Sequence, residues 1–336
     1  MTKPLQFTEG MGEAVAKRTI LRRKESGEWE TWADVAKRVA EGNCSLHPTG
    51  TKDQPQFEKA IADGRILMSG RHLQHGDSTQ SQKTMEVFTN CSSADFSAIS
   101  FYLKLNGSGV GRLYDGNALH IDWFRTKMLK LSLSPDHPDW KESDGWEIPS
   151  RFRGSKFVVP DSREGWAEAV DVWERSVDGT LSQVIELDFS EVRGKGSPIK
   201  GMQDRPSSGP IPLMKALAAC GDIAILIEMS NAMKTLRIDH ELAAAVEMGG
   251  VRRSAGMAGM HWTSPDIFDF INSKKYGGLW SANHSVCVDA QFWKQESAWA
   301  RRVFQEATHA AYYGGETGQG KGEPGFINID KLEGNS

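Results

Sequence analysis

The chain has 336 residues, with 40 Lys and Arg against 44 Asp and Glu and a formal net charge of -4. That length accommodates one large α/β domain or two smaller ones, and the lack of a basic excess argues against a nucleic acid polymer as partner. No stretch approaches the ~18 consecutive apolar residues of a membrane-spanning helix, and the opening MTKPLQFTEGMGEAVAKRTILRRK lacks an apolar signal core, so a cytoplasmic protein without a membrane partner is expected.

Residues 9–42 alternate apolar and charged positions at helical spacing, and ETWADVAKRVAEG predicts an amphipathic helix closed by Gly42. A helical N-terminal region over 1–60 is expected, followed by a second region over 61–336. A short helix in PQFEKAIADG leads into RILMSGRHLQHGDSTQ, which reads as a polar loop of the kind that lines sites. The apolar run of MEVFTNCSS predicts a short strand into Cys91, and ADFSAISFYLKLNGSGVG predicts a helix broken by glycines. From Arg112 onward periodicity weakens and Trp, Pro and charge become frequent, marking an insertion at about 112–182. Within it, DSREGWAEAVDVWERSV predicts an amphipathic helix with Asp161 or Ser162 as N-cap.

QVIELDFSEV alternates like a strand, and RGKGSPIKGMQDRPSSGP is too rich in Gly, Pro and basic residues for regular structure. Helices are expected over 211–219 and about 222–248. GGVRRSAGMAGMHW passes from a glycine turn into a strand, SPDIFDFINSKK predicts a capped helix, NHSVCVDAQFW a strand, and the run from Phe326 to Ile329 another. Alternating helix and strand predict a parallel α/β architecture, layered or barrel.

Cys44, Cys91, Cys220 and Cys287 are widely spaced, form no C-x-x-C and follow no secretion signal, so structural disulfides are not expected. A buried, inert thiol is the default for each. Cys91 differs because Thr89, Asn90, Ser92 and Ser93 surround it, which leaves packing and redox chemistry both open for this thiol. His72 and His75 lack metal-ligand spacing, and no metal site is expected.

Three loops, NGSGVGR, RGKGSPIKG and GGVRRSAG, combine glycine with basic residues. Any one of them alone reads first as a tight turn with solvated cations; three in one α/β chain point to one or more nucleotide sites. The first is not G-x-G-x-x-G, since its glycines fall at Gly107, Gly109 and Gly111, and no Walker A lysine follows. Arg252 and Arg253 could also simply complement a preceding helix dipole.

In order, SGRHLQHGDSTQ, VFTNCSS, LKLNGSGVG, DSREGW, GSPIKG with SSGP, GGVRRSA and GEPGFINID resemble the landmarks of the catalytic subunit of ribonucleotide reductases, most of all the adenosylcobalamin-dependent class II enzymes, over about residues 10–330. The resemblance implies the ten-stranded α/β barrel of that family, of which this chain would hold the N-terminal part with a helical N-terminal layer. It implies that Cys91 is one of two reducing thiols that become a disulfide each turnover. It places Ser69, Asn90, Ser108, Gly109, Arg252, Arg253 and Ser254 at the ribonucleotide substrate. It assigns Asp161, Ser162, Arg163, Lys195, Ser197 and Lys200 to a dNTP or ATP effector. Adenosylcobalamin would generate a thiyl radical, which abstracts the ribose 3′ hydrogen, and a dithiol or thioredoxin-like protein would be the reductant.

In the family, the radical-bearing cysteine lies in an Asn-Pro-Cys-Gly-Glu-like loop that should follow GEPGFINID, and neither it nor the second reducing cysteine precedes Ser336. The resemblance therefore implies the N-terminal component of a split enzyme, with the C-terminal half of the same enzyme as partner. The alternative is a non-catalytic nucleotide-binding regulatory subunit. No N-terminal helical cone for ATP is evident, which sets the chain apart from class I.

Overall fold

A computed structural model describes residues 10–116, 119, 121–123, 129–142, 155–181, 184–199, 205–246, 254–275, 278–314 and 322–333. By its contacts the chain divides into two units, Met1–Asn90 with Pro198–Arg205, and Cys91–Ser197 with Pro206–Ser336. The boundary expected near residue 60 lies inside the first of these.

The first unit carries helices α1 (Met11–Thr19), α2 (Trp32–Ser45), α3 (Gln54–Ala62) and α4 (Gly70–His75). A capping box starts α2: the Thr31 hydroxyl accepts from Asp34 N, and the Asp34 carboxylate accepts from Thr31 N at 2.7 Å. Its apolar stripe, Val35, Ala36, Val39 and Ala40, is fully buried together with Ile61 of α3. Gly42 does not end this helix, which runs on to Ser45. Its lack of a side chain serves packing instead, since a Cβ there would lie 2.3 Å from the Asp77 carbonyl oxygen. The expected polar loop RILMSGRHLQHGDSTQ is partly helical for a similar local reason: the Ser69 hydroxyl caps His72 N, and Arg71 and Leu73 turn inward to form α4. Before Cys91 the chain makes a 3-10 turn over Met85–Val87, so the strand starts only at the cysteine.

The second unit begins with β1 (Cys91–Ser93), α5 (Ser97–Leu105) and β2 (Gly109–Leu113). Next come β3 (Lys130–Ser132), β4 (Ser155–Val158), α6 (Arg163–Val177) and β5 (Val184–Asp188). The stretch Pro198–Arg205, which belongs to the first unit, opens with the two-residue strand β6 (Pro198–Ile199) and runs into β7 (Arg205–Pro206). Helices α7 (Ile211–Ala224) and α8 (Asn231–Ala245) follow, then β8 (Ala255–His261), α9 (Ile267–Asn272), β9 (Asn283–Val288), α10 (Ala290–Lys294), α11 (Ala298–Tyr313), β10 (Gly325–Asn328) and α12 (Asp330–Glu333). The break expected near residue 220 falls later, because the Ser230 hydroxyl caps Met233 N and starts α8 there. The segment SPDIFDFINSKK forms α9, although Asp266 makes no side-chain cap.

β1, β2, β8, β9 and β10 form one sheet in that order, every pair parallel, and β3, β5 and β4 form a second parallel sheet. The chain between β2 and its neighbour β8 therefore leaves the main sheet and returns beside its starting point. Consecutive buried residues in β8 (Ala258, Gly259, Met260) and β9 (Val286, Cys287, Val288) fit strands covered on both faces. One core packs Phe101 and Leu105 of α5 with Val170 and Trp173 of α6, Leu187 of β5 and helices α7 and α8; another packs β8 and β9 against Phe270, Phe292 and Val303. Each such large side chain contributes about 1.5–3 kcal/mol on burial. Among the described residues no helix is long and apolar enough to cross a membrane.

Candidate functional site

Because all strands of the main sheet are parallel, their amino ends share one edge. Cys91, the first residue of β1, is in register with Gly109 at the start of β2, which is in register with Ala255 at the start of β8. Neighbouring strands lie about 4.8 Å apart, so Cys91, the NGSGVG loop and Ser254 form a row along that edge. The Cys91 thiol is exposed, whereas Cys44, Cys220 and Cys287 are buried. Burial raises the Cys220 thiol well above its ordinary range and pushes Cys287 up to about 11.

Asn90 is the exposed residue just ahead of Cys91. Ser108 is buried, and its hydroxyl lies 2.9 Å from Ser92 Oγ, stitching the glycine loop to β1. The half-buried Ser254, just ahead of β8, has a buried hydroxyl with no hydrogen-bond partner among the described residues. Ser69 belongs to the first unit, where its hydroxyl caps α4. Arg252, Arg253 and Lys200 lie outside the described residues.

Of the residues expected at an effector, Asp161, Ser162, Lys195 and Ser197 lie elsewhere in the second unit. Ser162 caps α6 by accepting from Gly165 N at 2.9 Å. Asp161 beside it accepts from Arg193 Nε at 2.8 Å and from Arg193 N at 3.2 Å, joining DSREGW to the first residue of RGKGSPIKG. Lys195 is exposed; its N donates to the buried Asp139 carboxylate at 2.9 Å and its Nζ lies 3.5 Å from Glu142. Ser197 O accepts from Ser207 N at 2.8 Å. His137 fastens the loop base by donating from Nε2 to Val192 O at 2.7 Å. Gly209 must be glycine, with φ at +70° and a virtual Cβ 2.1 Å from Asp139 Oδ2. Arg163 points away from this loop, its NH1 donating to Asn106 Oδ1 at the carboxyl end of α5.

Behind the thiol edge lies a buried charged network that the sequence reading did not single out. Arg112 of β2 donates to Asp239 of α8 at 2.8 Å and to Ser97 Oγ at 2.9 Å, and Tyr114 Oη donates to the same Asp239 oxygen at 2.7 Å. Burial opposes ionisation of Asp239, but Arg112 and Lys104 outweigh it and hold the carboxyl below its ordinary value. The Glu174 carboxylate of α6 accepts from Ser97 N and Ala98 N at 3.1 Å each, and burial pushes it up to about 7 against these bonds. A signal for Glu174 existed: it shares the helical stripe of Val170, Trp173 and Val177, where a carboxylate needs a partner. Among the described residues no group of three or more His, Cys, Asp or Glu is arranged to hold a metal ion.

Residues 136–224 match the B12-dependent ribonucleotide reductase insertion domain, and residues 1–76 match the ribonucleotide reductase alpha domain. The chain is 30% identical over 345 residues to a putative adenosylcobalamin-dependent ribonucleoside-triphosphate reductase of Mycobacterium phage D29, covering 91% of this chain and 50% of that protein. The insertion-domain match and this relative support a partial class II ribonucleotide reductase. An adenosylcobalamin-dependent ribonucleoside-triphosphate reductase of Euglena gracilis is 24% identical, covering 84% of this chain and 40% of the relative. The crystal structure of a B-12 dependent class II ribonucleotide reductase superposes with a TM-score of 0.76 at 22% identity, covering 98% of this chain and 50% of that one, which establishes the fold as part of the class II barrel. The chain thus spans about half the length of the curated relatives it matches, and the class II insertion match begins at residue 136 and ends at 224, against the 112–182 expected.

Proposed function

We propose that this chain supplies the reducing-thiol and effector-binding part of an adenosylcobalamin-dependent ribonucleoside-triphosphate reductase, working with the C-terminal half that completes the barrel. The observation that carries the reading is the exposed Cys91 thiol at the amino edge of the sheet, level with Gly109 and Ala255. Replacing the ribose 2′ hydroxyl by hydrogen takes two electrons and releases water; two thiols supply the electrons and become one disulfide. Cys91 is one of them. Cys287 is not the other: it lies three strands away, about 14 Å or more, whereas a disulfide needs Cα atoms within about 7 Å. Cys220 is sealed in the core, its thiol 3.7 Å from Ile238 O. The second thiol belongs to the completing half.

In this reading Asn90, Gly109 and Ser254, with Arg252 and Arg253, orient the ribonucleoside triphosphate at the thiol edge, and Ser108 fixes the glycine loop from behind. Asp161, Ser162, Lys195, Ser197 and Lys200 receive a deoxynucleoside triphosphate or ATP. Adenosylcobalamin, when bound, supplies the radical. The described residues do not by themselves fit it: the one buried histidine ring nitrogen among them without a hydrogen-bond partner, His284 Nε2, is on a side chain that is 2% exposed. Its place would be with the completing half, and the part of this chain is the reducing thiol of Cys91.

The test mixes the chain with the corresponding second half of the phage relative, adenosylcobalamin, dithiothreitol and each ribonucleoside triphosphate, and measures deoxynucleotide formed. Product is expected only when both halves are present. Sustained turnover by this chain alone would overturn the split-enzyme reading. The regulatory-subunit alternative gains nothing from an accessible thiol at a ligand edge.

A further inference from the structure

Helix α5 joins β1, which opens with Cys91, to the glycine loop that opens β2, so any movement of α5 is shared by both. This helix does not cap its own amino end. Its N-cap position is Phe96, which offers no side-chain hydrogen bond, and the orphaned N–H groups of Ser97 and Ala98 are taken instead by the Glu174 carboxylate of α6 at 3.1 Å each. At the other end of α5, Asn106 Oδ1 receives Arg163, the first residue of α6.

The two contacts match in spacing. Residues 163 and 174 are separated by about 16 Å along α6 and residues 97 and 106 by about 14 Å along α5, at 1.5 Å per residue. The helices therefore lie antiparallel, with α6 gripping α5 at both ends and Phe101, Leu105, Val170 and Trp173 packed in the same core. Immediately before α6 stand Asp161 and Ser162, and Asp161 is ion-paired to the basic loop through Arg193.

We infer that Glu174 and Asn106 are positioning residues through which a nucleotide at the Asp161 loop acts on the redox edge: a shift of α6 carries α5 with it, and α5 carries Cys91 and the glycine loop. The buried bonds from Arg112 to Ser97 and Asp239 hold the same end of α5 to β2 and α8, so the motion is transmitted to packed elements rather than absorbed by a loop. The inference rests on the effector reading of the Asp161 loop.

The experiment uses the whole chain. Affinity for each of the four deoxynucleoside triphosphates is measured by calorimetry, and the rate of Cys91 alkylation by iodoacetamide is followed by mass spectrometry with and without saturating nucleotide. In the wild type, a bound nucleotide is expected to change that rate by about fivefold or more, within the usual range of coupling between sites. Glu174→Gln should bind the nucleotide equally well and show less than about a twofold change. Should Glu174→Gln fail to fold, Asn106→Ala carries the same expectation. Asn106→Asp, which keeps an acceptor for Arg163, should restore the response, as a merely structural role would not require. An undiminished response in Glu174→Gln and Asn106→Ala overturns the inference while leaving the effector site standing. So does nucleotide binding without any effect on wild-type Cys91. No affinity for any nucleotide overturns the effector reading, and the inference falls with it.

Discussion

The Arg193 guanidinium lies 2.8 Å from the Asp161 carboxylate, so two sequence motifs 32 residues apart, DSREGW and RGKGSPIKG, meet in one ion pair. Both side chains are about one-third exposed, where such a pair contributes up to about 1 kcal/mol. Asp161→Ala is therefore expected to leave thermal stability nearly unchanged while weakening deoxynucleoside triphosphate binding about tenfold, equivalent to about 1.4 kcal/mol. Calorimetry beside a melting curve checks both halves. Unchanged affinity would remove Asp161 from the nucleotide site.

Cys91 is expected to react with iodoacetamide in the native chain while Cys44, Cys220 and Cys287 react only after denaturation, as their burial dictates. Cys91→Ser should preserve fold and nucleotide binding and abolish multiple turnover in the completed enzyme. Cys220→Ser should instead cost about 1–2 kcal/mol in urea unfolding, for a buried hydroxyl in place of a thiol. Normal turnover by the Cys91→Ser enzyme with dithiol present would refute the reducing role.

Removing one partner of the buried Arg112–Asp239 pair leaves an uncompensated charge, so Asp239→Ala is expected to lose about 3–5 kcal/mol of stability. Both side chains are under 5% exposed, which is why screening by added salt should not reduce that loss. Urea titrations at low and high salt measure it. A loss under about 1 kcal/mol would mean the pair is solvated in solution.

Glu174 gives a pH signature with a definite sign. Its carboxyl is raised from 4.5 to about 7 in the folded chain, mainly by burial. The folded state therefore holds this proton more tightly than the unfolded state, and stability falls as pH rises from about 4.5 through 7, by up to about 3 kcal/mol. Glu174→Gln removes the titration. The difference between wild type and variant in urea midpoints, followed from pH 4 to 8, should vary across that window and be flat above it. A constant difference would show that Glu174 titrates alike in the folded and unfolded chain.

The helix and strand alternation, the parallel architecture and the singularity of Cys91 were legible in the sequence because each depends on local pattern. Apolar periodicity set α6 and narrowed its cap to Asp161 or Ser162, of which the structure uses Ser162; the polar neighbours of Cys91 separated it from Cys220 and Cys287, and the structure exposes that thiol and buries the others. The ordered run of motifs carried the likeness to the class II family, which the phage relative and the insertion-domain match support.

What only the tertiary structure decided are relations between residues distant in sequence. Gly42 reads as a helix terminator until the Asp77 backbone is found pressed against it, and RILMSGRHLQHGDSTQ reads as a loop until Arg71 and Leu73 find an interior. Arg163 stands in DSREGW, beside Asp161, yet reaches Asn106, and Glu174 caps a helix 76 residues away. Hydrogen bonds and ion pairs have a range of a few ångströms in space and no preference in sequence separation. A chain's local pattern can thus show that a buried carboxylate or an uncapped helix needs a partner, while only packing determines which residue becomes that partner.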